Sequence, residues 1–150
     1  MRYENILLAF DTSDHACRAL EEAYALYSHG LAENLIVLSV YDPLKSSDPT
    51  QNVAARIAGV VYAGNPILEE DLRKNIKKKI KNLLGSAATD LEIMVTTGKA
   101  SDKILEVSKE KNCGLIVVGS RGLGSFAGSV LGSVSSEIIR ESQLPVLVVK

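Results

Sequence analysis

Short, almost wholly apolar runs alternate with longer amphipathic stretches along this chain, and that alternation limits what it can fold into. Asn5 to Phe10, Leu35 to Tyr41, Leu115 to Val118 and Pro145 to Val149 offer almost no polar face. A strand of that kind is buried on both sides, as in a parallel sheet covered by helices. Leu91 to Thr96 alternates in part, which predicts a strand nearer an edge. The intervening stretches have helical spacing. Ala16, Leu20, Ala23, Tyr24 and Tyr27 form one stripe; Leu68, Leu72, Ile76, Ile80, Leu83 and Leu84 form another. Ile104, Leu105 and Val107 mark a third helix, and Ser133 to Glu141 a fourth. Strand and helix in strict alternation predict an α/β fold: a single doubly wound domain over 1–150 with a five-stranded parallel sheet. The most apolar runs, the first and the fourth, are the natural central pair.

The punctuation between elements agrees. Asp11-Thr12-Ser13-Asp14 stops the first strand, and Thr12 or Ser13 can cap the helix that follows. Gly30, Gly85 and Gly114 read as helix stops. Asp42-Pro43 ends the second strand, and Asn65-Pro66 opens a helix with Pro at its first position. Residues 44 to 65 read as a loop with one short helix.

Composition narrows the function classes. A formal net charge of −1 supplies no electrostatic reason for nucleic acid or an anionic membrane to be the main partner. No apolar run approaches the roughly 20 residues that span a bilayer. Arg2, Glu4 and Asp11 bracket the first apolar run too closely for a secretory signal, so a cytoplasmic location is expected. Cys17 and Cys113 lack metal spacing and disulfide density. Cys17 reads as core, and Cys113 as a thiol near a helix end with nothing beside it to lower its pKa. His15 and His29 have no companion at metal-binding spacing, so no metal site is expected in the chain itself. The lysines from 74 to 81 read as a solvated helix face.

The stretch from Gly114 to Ser136 carries the chemistry. A buried strand feeds a loop containing Gly119, Gly122, Gly124 and Gly128, then Gly132 and the serines 133, 135 and 136 at a helix start. Glycines let a ligand approach the backbone, and a helix N-terminus offers unpaired N–H groups with partial positive charge. The pattern predicts an anion site, with a phosphate-bearing small molecule as its ligand. In open α/β sheets ligands bind beyond the carboxyl ends of the strands where strand order reverses, which puts the cleft between Asp11 and the glycine loop. A P-loop is absent: Lys99 has Ala100 after it and Ile93 where the first glycine belongs. Gly122-Leu-Gly124-Ser-Phe-Ala127 matches a dinucleotide fingerprint formally, but it follows the fourth strand and leads to no acid for the ribose.

The spacing Gly119-x2-Gly122-x9-Gly132-Ser133-x-Ser135 does fit a known pattern. With it the chain resembles the universal stress protein family, particularly its ATP-binding branch. The first strand ending in Asp11, the second ending in Ser39-Val40-Tyr41, Gly98 before a helix, and the closing Leu144-Pro145-Val-Leu-Val-Val149 all agree, so the resemblance covers essentially the whole chain. It implies the sheet order 3-2-1-4-5. It implies that Asp11 contacts the ribose or nearby polar groups and that Val40 meets the adenine. Gly119 and Gly122 would line the ribose and phosphate approach. Gly132, Ser133, Val134 and Ser135 would cradle the phosphates. The implied ligand is ATP, or AMP or ADP, with Mg2+. The implied assembly is a homodimer through the C-terminal strand, whose short apolar edge invites pairing in any case.

Other readings stay open at this stage. Asp11 and Ser133 can each serve only as helix caps. Arg121 is the only cation in the loop, and nothing suggests a Ser–His–Asp arrangement. A regulatory nucleotide sensor is therefore favoured over an efficient enzyme. A slow ATPase is one alternative, and a dimeric interaction module that binds no nucleotide is the other.

Overall fold

The computed structural model describes residues 2–42, 66–88, 90–123, 128 and 130–150. Its sheet consists of β1 (Tyr3–Ala9), β2 (Ala32–Tyr41), β3 (Glu92–Thr97), β4 (Cys113–Gly119) and β5 (Val146–Val149). Every pairing is parallel and the order is β3-β2-β1-β4-β5. The apolar runs β1 and β4 are neighbours, and the partly alternating β3 is an edge, as their compositions require. The expectation of a loop and short helix over 44–65 lies outside the described residues.

Among the described residues four α-helices cover the two faces: α1 (Asp14–Ser28), α2 (Pro66–Leu84), α3 (Ala100–Glu110) and α4 (Ser133–Glu141). Successive strand residues point to opposite faces, so each strand feeds two cores. Ile6 and Leu8 pack with Val37, Leu115 and Val117 beneath Ala19 and Leu20 of α1 and Ile76 and Ile80 of α2. Leu7 packs with Ile36, Leu38, Ile116 and Val118 beneath Ile104 and Val107 of α3 and Ile138 of α4. Among the described residues, no helix is long and apolar enough to cross a membrane.

One helix stop differs from expectation. α3 ends at Glu110, and Asn112, with φ of 48°, makes the left-handed turn assigned to Gly114. Asn tolerates that conformation because its short polar side chain can bond locally. Gly114 lies inside β4, where a Cβ would come within 2.8 Å of the Tyr3 ring. Cys113 is correspondingly a buried strand residue rather than a helix-end thiol. Burial pushes its pKa up to about 11, which keeps it protonated and inert near neutral pH.

Candidate functional site

The sheet order reverses between β1 and β4, and the two segments leaving their carboxyl ends meet there. β1 leads through Phe10 to Asp11. Asp11 Oδ1 accepts hydrogen bonds from the Ser13 amide at 3.0 Å and from the Ser13 hydroxyl. Oδ2 accepts from the Leu123 amide at 3.1 Å, 112 residues along the chain. One carboxylate thus ties the start of α1 to the loop after β4. Gly122 makes this possible, since a Cβ there would sit 2.5 Å from Oδ2.

Gly119 faces a different neighbour. A Cβ on it would come within 2.8 Å of the His15 carbonyl carbon and 3.0 Å of the Ala16 nitrogen. The missing side chain lets the first turn of α1 cross the end of β4. An open depression of about 390 Å³ lies between that turn and Arg121–Leu123, with His15, Arg18 and Arg121 among its walls. Val40, half-buried near the end of β2, pairs in register with Thr96 and packs on the α3–α4 side of the sheet.

The loop returns at Gly132, the residue that caps α4. Its N–H donates to the Ser120 carbonyl at 2.7 Å, so this amide is already engaged. Its own carbonyl accepts from the Ser136 amide at 3.0 Å, closing the first turn. By helix geometry the N–H groups of Ser133, Val134 and Ser135 have no carbonyl acceptor within the helix. Ser133 is exposed and Val134 half-buried at this start. Ser135 is 3% exposed, and its hydroxyl donates to the carbonyls of Ser120 and Gly132, each at 3.0 Å. Its hydroxyl fastens the turn from inside.

Sequence reasoning did not single out Ser120 or Leu123. Ser120 is buried; its N–H donates to Val149 at 2.7 Å while its carbonyl holds Gly132 and Ser135. It therefore joins the end of β5 to the start of α4. Both residues act through backbone atoms, which leave no signature in side-chain type. A third unforeseen contact braces α4 against α3. Glu137 accepts from Lys99 Nζ at 2.8 Å and from the Ser101 hydroxyl at 2.7 Å. The bond from Lys99, then that from Ser101, holds the Glu137 carboxyl below the usual carboxylate range. The same bond raises the Lys99 pKa.

The helix starts differ in charge. The first turns of α1, α2 and α3 carry Asp14, Glu69 and Asp102, whereas the first turn of α4 carries no acid. An acid in the first turn complements the positive end of the helix dipole, and α4 lacks that complement. The start of α4 thus has the charge pattern of an anion-accepting helix end, and it follows β4, the strand next to the one that leads to Asp11. Among the described residues, no group of three or more His, Cys, Asp or Glu side chains is placed to hold a metal ion.

Comparison with known proteins bears on what such a site does. The sequence profile described as "Universal stress protein family" matches residues 2–150. A universal stress protein from Thermus aquaticus is 31% identical over 153 residues, covering 99% of each chain. A solved universal stress protein from Lactobacillus plantarum superposes with a TM-score of 0.76 at 24% identity, covering 100% of this chain and 99% of that one. A universal stress protein solved in complex with cAMP superposes with a TM-score of 0.63 at 26% identity, covering 100% of this chain and 98% of that one.

Proposed function

The chain belongs to the universal stress protein family, and from that premise we propose that it binds an adenine nucleotide, ATP foremost, as a sensor or regulatory module in stress response. The observation that carries this reading is the start of α4, the one α-helix among the described residues with no acid in its first turn, set beside the switch point of the sheet. The phosphates meet the Ser133, Val134 and Ser135 amides. Gly132 keeps the approach clear. Gly119 and Gly122 shape the loop beneath the ribose, Asp11 faces the sugar, and Val40 meets the base. Mg2+ enters with the phosphates, which are its natural ligands in nucleotide sites. The relative crystallised with cAMP supports the ligand class. AMP and ADP fit the same cradle with fewer phosphate contacts.

Binding is favoured over turnover. Hydrolysis needs a positioned water, a base and charge stabilisation. Asp11 is bonded to the loop at Leu123, and both its oxygens are committed to Ser13 and Leu123. The chain acts as one domain, cytoplasmic, and pairs with a second copy through β5, an edge strand. Sedimentation at micromolar concentration should give twice the 16.1 kDa chain mass; the mass of one chain would refute the dimer. The functional reading is tested by denaturing freshly purified protein and identifying released nucleotide by mass. An adenine nucleotide is expected. Protein that carries none, and that binds none when nucleotide is supplied, overturns it.

A further inference from the structure

We propose that Asp11 is first a positioning residue, a fastener that holds Leu123 of the glycine loop onto the start of α1, and that a ligand using this carboxylate must displace the Leu123 amide from it. The inference rests on the functional reading only in its second half. The fastener itself stands on geometry. Oδ1 is held by two donors of Ser13, which fixes the carboxylate relative to α1. Oδ2 then reaches a loop residue 112 positions away. Gly122 is open space kept for that oxygen, since any Cβ would meet it at 2.5 Å. Between Asp11 and Ser13, Thr12 takes φ of 67°, a conformation β-branched residues rarely adopt. Such a conformation persists only where its surroundings hold it, and the bonds from Asp11 to Ser13 close the turn around it.

The consequence is competition. A carboxylate oxygen accepts more than one hydrogen bond, but here the Leu123 N–H lies in the line of approach from the loop side. A sugar hydroxyl that donates to Oδ2 from that side takes the place of the amide. Loss of Asp11 therefore acts twice: it removes a ligand contact and it frees the loop. A residue that only touched ligand would leave the empty protein unchanged.

Amide hydrogen exchange on verified nucleotide-free protein separates these. In the wild type the Leu123 amide should be protected. In Asp11→Ala it should exchange roughly tenfold faster or more, the range expected when a hydrogen bond to a charged acceptor is lost. Gly122→Ala should do the same with Asp11 intact, because its Cβ evicts Oδ2. Ser13→Ala should leave Leu123 protected, since it removes only the hydroxyl bond to the other oxygen and keeps the backbone amide bond. The amides of Leu7 and Ile116 in the central strands report that each variant is folded. Unchanged exchange at Leu123 in folded Asp11→Ala overturns the fastener. Adding ATP to the wild type tests the second half: the rate at Leu123 should change while Leu7 and Ile116 hold. A Leu123 rate unmoved by saturating ATP overturns the displacement. A chain that binds no nucleotide sinks the functional reading instead and leaves the exchange result on the empty protein standing.

Discussion

Two helices begin at the carboxyl ends of the two central strands, and they begin differently. α1 follows β1 and satisfies itself. Ser13 caps it by accepting from the Ala16 amide, and Asp14 lies in its first turn. α4 follows β4 and the glycine loop. Its cap is Gly132, which has no side chain to offer, and its first turn holds serines and a valine instead of an acid. Both starts sit beside the same switch point, with the same dipole and with first-turn amides that have no acceptor inside their own helix. The chain therefore supplies an acid at one helix start and none in the first turn of the other, which in the proposed reading is left to a ligand.

The contrast can be broken most severely at Gly132. Gly132→Val should abolish ATP binding in calorimetry, because a branched side chain then fills the approach to the α4 amides. The backbone itself does not object, since φ of −74° and ψ of 165° suit any residue. Retained affinity in this variant would place the phosphates elsewhere. The serines should matter less, and unequally. Ser133→Ala should weaken ATP binding by roughly 0.5–1.5 kcal/mol. Ser135→Ala should also weaken binding, and it should lower the unfolding free energy by a similar amount, because its hydroxyl bonds two carbonyls from a buried position. Calorimetry on both variants and denaturant titration on Ser135→Ala check this; an unchanged unfolding free energy in Ser135→Ala would contradict the assignment.

The smallest effect concerns the brace on α4. Glu137 has its pKa lowered, so its contribution to stability is present above the unfolded carboxylate pKa and is lost as pH falls through the lower folded value. Lys99 has its pKa raised, so its contribution is present below the unfolded lysine pKa and is lost as pH rises through the higher folded value. The stability difference between wild type and Glu137→Gln should therefore be flat around neutral pH. It should shrink towards the acid side below about pH 4 and towards the alkaline side above about pH 10. A difference independent of pH across that range would mean that the ion pair does not brace the helix.

Most of the fold was readable because it rests on burial. Runs such as Leu115 to Val118 are too apolar to be exposed on either face, and α4 was legible at its observed bounds. One helix stop was misplaced, and elsewhere one residue serves the fold as well as the role its spacing suggests. Gly114 looked like a helix stop, but Asn112 made the turn and the glycine makes room for the Tyr3 ring. Gly119 fits a ligand motif by spacing, yet its missing side chain is required where α1 crosses β4. Ser135 reads as a phosphate donor, yet its hydroxyl is spent inside the turn. The Asp11–Leu123 bond was out of reach of sequence, since it joins a side chain to a backbone amide brought near only by the sheet order.

The central claim is that α4 binds an anion because the chain does not supply one. Moving the acid tests it: Ser133→Asp gives α4 the first-turn carboxylate that α1 already has. Calorimetry with ATP, on nucleotide-free wild type and on this variant, should show binding in the first. In the second, affinity should fall about a hundredfold or more, because a fixed negative charge at about 4 Å repels the phosphates strongly. The same variant should be as stable as the wild type or more stable, by about 0.3–1 kcal/mol, because its aspartate complements the dipole. Equal ATP affinity in the two proteins, or none in the wild type, would contradict the account.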